Sequence, residues 1–185
     1  KFDKYFSKKK EEFLEVSYLT DKKAPKLIEG YELAKISNIV KDLVNEQAEV
    51  LNPKELANRA TKLGKEFGFD VEILDEKKAQ KLGMTAYLAV ARAAHHRPYV
   101  IVMRYKGDAK SKYTYGLVGK GLTYDTGGLS LKPTESMLTM RCDMGGAATM
   151  IGAMCSIAKM KLKKNVTCVV AACENSIGPN AYRPG

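Results

Sequence analysis

Two adjoining patterns near the end of the chain restrict the fold class strongly. Apolar residues cover much of a predicted helix between Ala147 and Ala158, and Val166–Ala172 follows as an almost continuously apolar strand. Strands that are apolar on both faces are typical of parallel sheets whose faces are covered by helices. We therefore expect an α/β fold with a mostly parallel sheet flanked by helices, and with ligand groups at the strand ends.

Helix and strand patterns also alternate earlier in the chain. A helix is predicted from Tyr31, where apolar residues recur on one stripe. The next helix has a capping residue at Asn52, a proline at its first position and Glu55 three residues after the cap, and Gly68 ends it. Shorter segments complete the pattern: strands at Val71–Leu74, Tyr99–Tyr105 and Tyr113–Val118, a helix over Asp75–Leu82, and a glycine-rich loop after Val118.

The amino-terminal 30 residues read differently from the rest of the chain. They are rich in lysine, include a possible strand at Phe13–Leu19, and contain a break at Ala24-Pro25. We interpret residues 1–30 as the end of a preceding domain or a connector. Because the chain starts with Lys1 and stops at Gly185 in a loop-like segment, we also expect it to be a piece of a longer protein.

The bulk composition is typical of a soluble globular domain. The 185 residues are 45% hydrophobic and 28% charged, and no apolar run approaches the ~20 residues of a membrane-spanning helix. The amino end lacks the apolar centre of a signal peptide, so we predict a cytoplasmic protein with no membrane partner. The four cysteines show no Cys-x-x-Cys spacing and the two histidines are adjacent, which favours reduced thiols over a zinc site of thiolates or imidazoles.

A formal net charge of +10 raises nucleic acid as a partner. The lysines are spread along the chain, however, with only modest concentrations at Lys8–Lys10 and Lys159–Lys164. A solvated basic surface explains this distribution better, and nucleic acid is not the partner that we expect.

The segment Gly116–Lys132 contains five glycines, two lysines and one aspartate. A phosphate-binding loop would need glycines at a fixed spacing followed by a helix. Gly119-Lys120-Gly121 fits neither common spacing, and Pro133 follows where the helix should begin. The segment is therefore a weak candidate for binding phosphate.

Metal binding is a second interpretation, and it takes Lys120, Asp125, Lys132 and Asp143 together. Carboxylates are hard oxygen ligands for divalent metals, and a lysine can join them when its amine is neutral. Neutrality at pH 7 costs a lysine on the order of 5 kcal/mol, which only a metal ion in a dry site supplies. Spacing alone equally allows Asp125 in a turn, Asp143 as a helix cap and both lysines on the surface.

Several motifs in order resemble the leucyl aminopeptidase (cytosol aminopeptidase) family in its catalytic domain. The resemblance runs from about Tyr31 to the end of the chain and includes Asp42–Pro53, a segment similar to a helix of the same family. The motifs are Val118-Gly-Lys-Gly-Leu-Thr-Tyr-Asp-Thr-Gly-Gly-Leu-Ser-Leu-Lys-Pro133, Met140-Arg-Cys-Asp-Met-Gly-Gly-Ala-Ala-Thr149, Ala172-Cys-Glu-Asn175 and Ala181-Tyr-Arg-Pro-Gly185. On this resemblance, residues 31–185 are the N-terminal, incomplete part of a metallo-aminopeptidase catalytic domain.

The resemblance implies a role for five residues. Lys120 is the neutral amine ligand of one metal, Asp125 is a carboxylate shared by both metals, and Asp143 is a further ligand of the metal that also holds the substrate's free amino terminus. Lys132 stays charged, polarises the scissile carbonyl and stabilises the tetrahedral intermediate. Met140 lines the pocket for the first side chain of the substrate, so all five residues contact substrate.

The resemblance also implies cofactors and partners. Two divalent metal ions, Zn or Mn with Mg and Co as further candidates, activate a bridging water, and a bicarbonate ion acts as the base. The substrates are peptides with leucine-like first residues, and the family usually assembles as a homohexamer.

One departure from the family pattern is large. The chain stops before the Asn-Thr-Asp-Ala-Glu-Gly-Arg motif, which supplies another aspartate, a bridging glutamate and the bicarbonate-holding arginine, so we expect the 185 residues alone to be inactive. Tyr124 and Thr126 replace the commoner Phe and Ser and are mild changes. The alternatives are a nucleic-acid-binding family member and a truncated, non-catalytic scaffold that joins intact subunits.

Overall fold

A computed structural model describes residues 2–7, 15, 17–19 and 24–185. Its elements, in chain order, are α1 (Pro25–Asn45), α2 (Pro53–Phe67), β1 (Asp70–Leu74), α3 (Glu76–Lys81), α4 (Thr85–Ala91), β2 (Tyr99–Lys106), β3 (Thr114–Asp125), α5 (Thr134–Met137), α6 (Gly145–Lys159) and β4 (Asn165–Asn175). A short 3₁₀ turn, Met140–Cys142, lies between α5 and α6. The expected α/β class is confirmed.

The four strands form one sheet in the order β1-β2-β4-β3. β3 and β4 pair in parallel, whereas β2 is antiparallel to both of its neighbours, so three strands run in one direction and β2 runs in the other. The parallel pair with α6 between its strands is the unit that the apolar patterns near the end of the chain predict. Its consequence for function is that the carboxyl ends of β3 and β4 lie side by side.

Helix α2 follows its local sequence signals closely. The Asn52 side chain accepts a hydrogen bond from the backbone N–H of Glu55 at 3.1 Å, as expected for a capping residue. At the other end Gly68 has a φ of +89° and donates its N–H to the carbonyl of Gly64. Left-handed backbone of this kind favours glycine, so the predicted end of the helix is confirmed.

Helix α1 begins earlier than predicted, at Pro25 rather than Tyr31. Proline suits the first turn of a helix, where its missing N–H leaves no hydrogen bond unmade. The first turns are largely exposed, including Leu27 and Ile28, so no buried stripe marks them in the sequence. The possible strand over Phe13–Leu19 lies largely outside the described residues, as do the lysines at positions 8–10.

The glycine-rich segment after Val118 is wrongly predicted as a loop, because strand β3 continues through it to Asp125. Its glycines allow close packing instead of bending. A Cβ atom at Gly119 would lie 2.9 Å from the carbonyl oxygen of Gly146 in α6, and one at Gly121 would lie 2.8 Å from the carbonyl oxygen of Ala171 in β4. The loop starts only at Thr126, so that Lys120 and Asp125 project from a strand.

Apolar side chains cover the sheet on two faces. The larger core lies between the sheet and helices α1, α2 and α6, and its fully buried members include Leu56, Ile101, Ile151, Met154 and Val170. The smaller core gathers Ala79, Val100 and Val102 under α3 and α4. Three of the four thiols are buried and all four are free. None of the helices in the described residues has the length and apolar character needed to cross a membrane.

Candidate active site

The candidate site lies where β3 and β4 end. Asp125 is the last residue of β3, Asn175 is the last residue of β4, and the two are register partners. Asp143 follows the 3₁₀ turn and precedes the first residue of α6 by two positions. Ligand groups at the carboxyl ends of parallel strands are the common arrangement in α/β proteins.

Both oxygens of Asp125 have partners, although the residue is only 8% exposed. Oδ1 accepts hydrogen bonds from the Gly127 N–H and from Asn175 Nδ2, each at 2.9 Å. Oδ2 lies 3.0 Å from Lys132 Nζ. Burial by itself raises the pKa of the Asp125 carboxyl, but the bonds from Gly127, Lys132 and Asn175 lower it by more, so the pKa lies below its ordinary value. Asp125 is therefore a carboxylate at neutral pH.

The second carboxylate, Asp143, is only half satisfied. Lys120 Nζ donates to Asp143 Oδ1 at 2.7 Å, and the lysine side chain is 56% exposed. Within the described part of the chain, Asp143 Oδ2 is buried and has no hydrogen-bond partner. A buried charged oxygen without a partner is costly and calls for a ligand. This oxygen is the clearest sign that the site is built to hold something.

Two glycines allow the sharp turn of the loop that carries Lys132. Gly127 and Gly128 both have positive φ, +85° and +64°. The Lys132 N–H donates to the Thr126 carbonyl at 3.0 Å and closes the loop on itself. The chain therefore turns back immediately after β3, and the lysine amine reaches the aspartate that ends the strand.

The two ion pairs, Lys132–Asp125 and Lys120–Asp143, share one neighbourhood. The thiol of Cys173 in β4 is buried near both pairs. Burial raises its pKa to about 12, and the negative charges of Asp125 and Asp143 raise it further. Met140, the fifth predicted residue, is partly buried and packs against the small cluster that contains Tyr124. The fold thus brings both lysine–aspartate pairs to one region of the sheet and packs Met140 against the cluster that contains the residue before Asp125.

Three polar residues around the site have no role in the sequence analysis above. Asn175 binds Asp125, Arg183 forms an ion pair with Glu174, whose Oε2 is buried and unpartnered among the described residues, and the Tyr124 hydroxyl donates to the Pro184 carbonyl. Asn175, Glu174, Arg183 and Pro184 all lie in the motifs Ala172–Asn175 and Ala181–Gly185. Which residue each of them contacts becomes visible only in the folded structure. Such a motif signals importance without showing which atom each side chain contacts.

The donor set fits part of a divalent metal centre. Two carboxylates and an amine suit a hard cation, and the unpartnered oxygen of Asp143 supplies a free ligand atom. No group of three or more His, Cys, Asp or Glu side chains that could hold a metal occurs in residues 2–7, 15, 17–19 and 24–185. The described residues therefore provide some of the ligands that such a centre requires.

Comparison with known proteins identifies the family. The model for the catalytic domain of the cytosol aminopeptidase family matches residues 38–185, and the chain belongs to that family. A protein of Fusobacterium nucleatum described as a probable cytosol aminopeptidase is 95% identical over 185 residues, covering 100% of this chain and 39% of the relative. One of Clostridium tetani with the same description is 44% identical over 197 residues, covering 100% of this chain and 40% of the relative.

Solved structures agree with this assignment. The bottromycin maturation enzyme BotP superposes with a TM-score of 0.82 at 33% identity, over 95% of this chain and 36% of BotP. The cytosol aminopeptidase of Coxiella burnetii superposes with a TM-score of 0.76 at 36% identity, over 84% of this chain and 33% of that protein. A further BotP structure is a complex with Mn. The chain spans about two fifths of the length of the curated relatives it matches most fully.

Proposed function

We propose that the protein containing this chain is a two-metal aminopeptidase that releases leucine-like residues from the amino ends of peptides. The observation that carries the proposal is the buried, unpartnered Oδ2 of Asp143 beside two lysine–aspartate pairs, in a chain of the cytosol aminopeptidase family. Residues 31–185 form the first part of its catalytic domain, and residues 1–30 form a connector or the end of a preceding domain.

Three residues of the site bind the metal ions. Asp125 and Asp143 provide carboxylate oxygens, and Lys120 provides a neutral amine in place of its ion pair with Asp143. Divalent ions, when bound, supply Lewis-acid activation of water and of the scissile carbonyl. We propose Zn or Mn, with Mg or Co as alternatives, because carboxylate and amine ligands accept all four metals. A bicarbonate base completes the site in the whole protein.

Lys132 acts on the substrate rather than on the metals. Its amine pairs with Asp125 Oδ2 at 3.0 Å, and its side chain is 31% exposed, so it reaches both the carboxylate and the open side of the site. A charged donor placed there stabilises negative charge that develops on the carbonyl oxygen. Met140 lines the pocket for the first side chain. The enzyme works in the cytoplasm as a homohexamer, and the 185 residues alone are inactive.

Hydrolysis of leucine-p-nitroanilide by the full-length protein, with and without added Mn or Zn, tests the proposal. We expect metal-dependent turnover, and a loss in kcat of ~10²–10³-fold or more in Lys132→Ala, which removes a transition-state donor. Asp125→Asn should abolish turnover, and added metal should not restore it. Lys110→Ala, which changes an exposed lysine outside the site, is the matched control and should keep full activity.

Two outcomes contradict the proposal. Turnover that does not depend on metal would exclude the two-metal mechanism, and near-normal kcat in Lys132→Ala would remove the lysine from it. Absence of turnover in a metal-loaded protein would favour a non-catalytic role, either as a scaffold or in binding nucleic acid.

A further inference from the structure

We propose that Asn175 is a positioning residue that orients the Asp125 carboxylate so that Oδ2, and not Oδ1, faces an incoming cation. The inference rests on the proposed metal-binding function of Asp125. It concerns a residue that contacts neither the metal nor the substrate in that proposal.

The hydrogen bonds of Asp125 divide its two oxygens. Oδ1 accepts from Asn175 Nδ2 and from the Gly127 N–H, both at 2.9 Å. A carboxylate oxygen has two lone-pair positions, so these two donors saturate Oδ1. Oδ2 has one partner, the amine of the partly exposed Lys132 side chain at 3.0 Å. The oxygen that can exchange its partner for a cation is therefore Oδ2.

The backbone of Asn175 is anchored as firmly as its side chain. Its carbonyl oxygen accepts from both the N–H and the hydroxyl of Thr126, each at 2.9 Å. Thr126 is buried and directly follows Asp125. These contacts tie the end of β4 to the first loop residue after β3, so the amide and the carboxylate are held at a set separation.

Gly128 supports the same arrangement from the other side of the amide. A Cβ atom at this position would lie 2.9 Å from Asn175 Oδ1, and its φ of +64° also disfavours a side chain. Because a carboxylate only accepts hydrogen bonds, the amide nitrogen must face Asp125 and the amide oxygen must face Gly128. Asparagine is suited to this place because it donates without adding charge to the site.

The test measures Mn²⁺ binding to the full-length protein by the EPR signal of free Mn²⁺, with no substrate present. We expect Asn175→Ala and Asn175→Leu to weaken Mn²⁺ binding, with a rise in the apparent Kd of ~10–100-fold, the usual effect of losing a partner that orients a metal ligand. The alanine variant removes the whole amide and adds no charge. The leucine variant removes the donor but keeps a side chain of similar size.

Thr126→Val is the matched control. It removes both hydrogen bonds of the hydroxyl, the one donated to the Asn175 carbonyl and the one accepted from the Gly128 N–H, and so loosens the same junction, but it leaves the amide that contacts Asp125. We expect its Kd for Mn²⁺ to stay within ~3-fold of the wild-type value, although its thermal midpoint without metal falls. A purely structural role for Asn175 would instead make the three variants lose affinity in proportion to their loss of thermal stability.

The outcomes separate the two levels of inference. Wild-type protein that binds Mn²⁺ and Asn175 variants that bind it equally well would overturn the positioning role and leave the proposed function intact. Wild-type protein that does not bind Mn²⁺ would overturn both. If the leucine variant does not fold, the alanine variant alone decides, because unchanged affinity in it still contradicts the inference.

Discussion

Glu46, at the end of α1, shows how this protein uses a carboxylate for structure. The residue is 2% exposed, yet both of its oxygens are fully engaged. Oε2 lies 2.8 Å from Lys4 Nζ and 3.3 Å from Arg59, while Oε1 accepts from the Tyr5 hydroxyl and from the Gln47 N–H at 3.2 Å. This Glu46 cluster joins the amino-terminal segment, the end of α1 and helix α2.

Asp143, in the candidate site, differs from Glu46 in one respect that matters. Both are paired with a lysine, but Asp143 has an oxygen that is buried without a partner among the residues described. Since leaving a charged oxygen unsatisfied is destabilising, a bound ligand accounts for this oxygen of Asp143 better than a contribution to stability does. The comparison separates a carboxylate that fastens the fold from one that is available to a ligand.

The largest effect should follow from changing Asp143 itself. Loss of a partner that orients a ligand costs ~10–100-fold in metal affinity, and loss of a direct ligand costs more, so we expect Asp143→Asn to weaken Mn²⁺ binding by ~100-fold or more. Its stability should change little, because the pair with the half-exposed Lys120 is worth at most ~1 kcal/mol. EPR titration and urea unfolding of the full-length protein measure the two quantities.

The same change in the Glu46 cluster is the control for that prediction. Glu46→Gln removes a charge that is more deeply buried, with 3% of the side chain exposed against 17% for Asp143, but we expect its Mn²⁺ affinity to match that of the wild type. Equal losses of affinity in both variants would show that general damage, and not the loss of a metal ligand, explains the effect of Asp143→Asn.

For the free energy of unfolding we expect the reverse: Glu46→Gln should have a larger effect than Asp143→Asn. We expect Glu46→Gln to lower the free energy of unfolding by about 2 kcal/mol, because Lys4 and Arg59 lose the negative charge of their shared acceptor. Glu55→Gln is the matched control: Glu55 also binds Arg59, at 2.9 Å, but its side chain is 36% exposed, so the cost should stay below ~1 kcal/mol. Urea unfolding at neutral pH compares the two.

Acid unfolding gives a second readout of Glu46. Burial raises the pKa of its carboxyl, but the bonds from Lys4, Tyr5, Arg59 and Gln47 lower it by more, from 4.5 to about 2. A depressed pKa in the folded state stabilises the protein above pH 4.5, and this contribution is lost as the pH falls toward 2. Glu46→Gln should reduce the loss of stability with falling pH in this window. An unchanged pH dependence of the free energy of unfolding would contradict this role of Glu46.

The contrast between α2 and β3 explains how far sequence alone could predict the fold. The start and end of α2 depend on Asn52 and Gly68, whose effects act within a few residues of the chain. In β3, Gly119 resembles a loop signal, but it is needed because α6 approaches the strand to within 2.9 Å of a Cβ position. Only the assembled fold shows that requirement, so α2 and the first part of β3 are predictable, whereas the continuation of β3 from Gly119 to Asp125 is not.

The site divides in the same way. Resemblance to a family names Lys120, Asp125, Lys132 and Asp143, but it does not show which lysine pairs with which aspartate. Lys120 and Asp143 are separated by 23 residues, and Asp125 and Asn175 by 50. The first pair depends on how the start of α6 packs against β3, and the second depends on the register of β3 against β4. No local pattern records either arrangement, and this is why Asn175 has no predicted role.

Tyr124 gives the smallest predicted effect and the closest test of the comparison, because it precedes Asp125 directly yet has a satisfied polar group. It is 1% exposed, and its hydroxyl contacts the carbonyl oxygens of Pro184 and Met137. We expect Tyr124→Phe, which restores the residue commoner in the resembling family, to lower the free energy of unfolding by ~1 kcal/mol, the net value of one hydrogen bond. Its Mn²⁺ affinity should equal that of the wild type.

Tyr113→Phe provides the baseline for that measurement. Tyr113 is 83% exposed, so loss of its hydroxyl should change neither stability nor metal affinity. If Tyr124→Phe instead weakened Mn²⁺ binding while leaving unfolding unchanged, the hydroxyl would act on the site and not on the fold. A complete set of hydrogen-bond partners would then no longer distinguish a structural side chain from a functional one at this edge of the sheet.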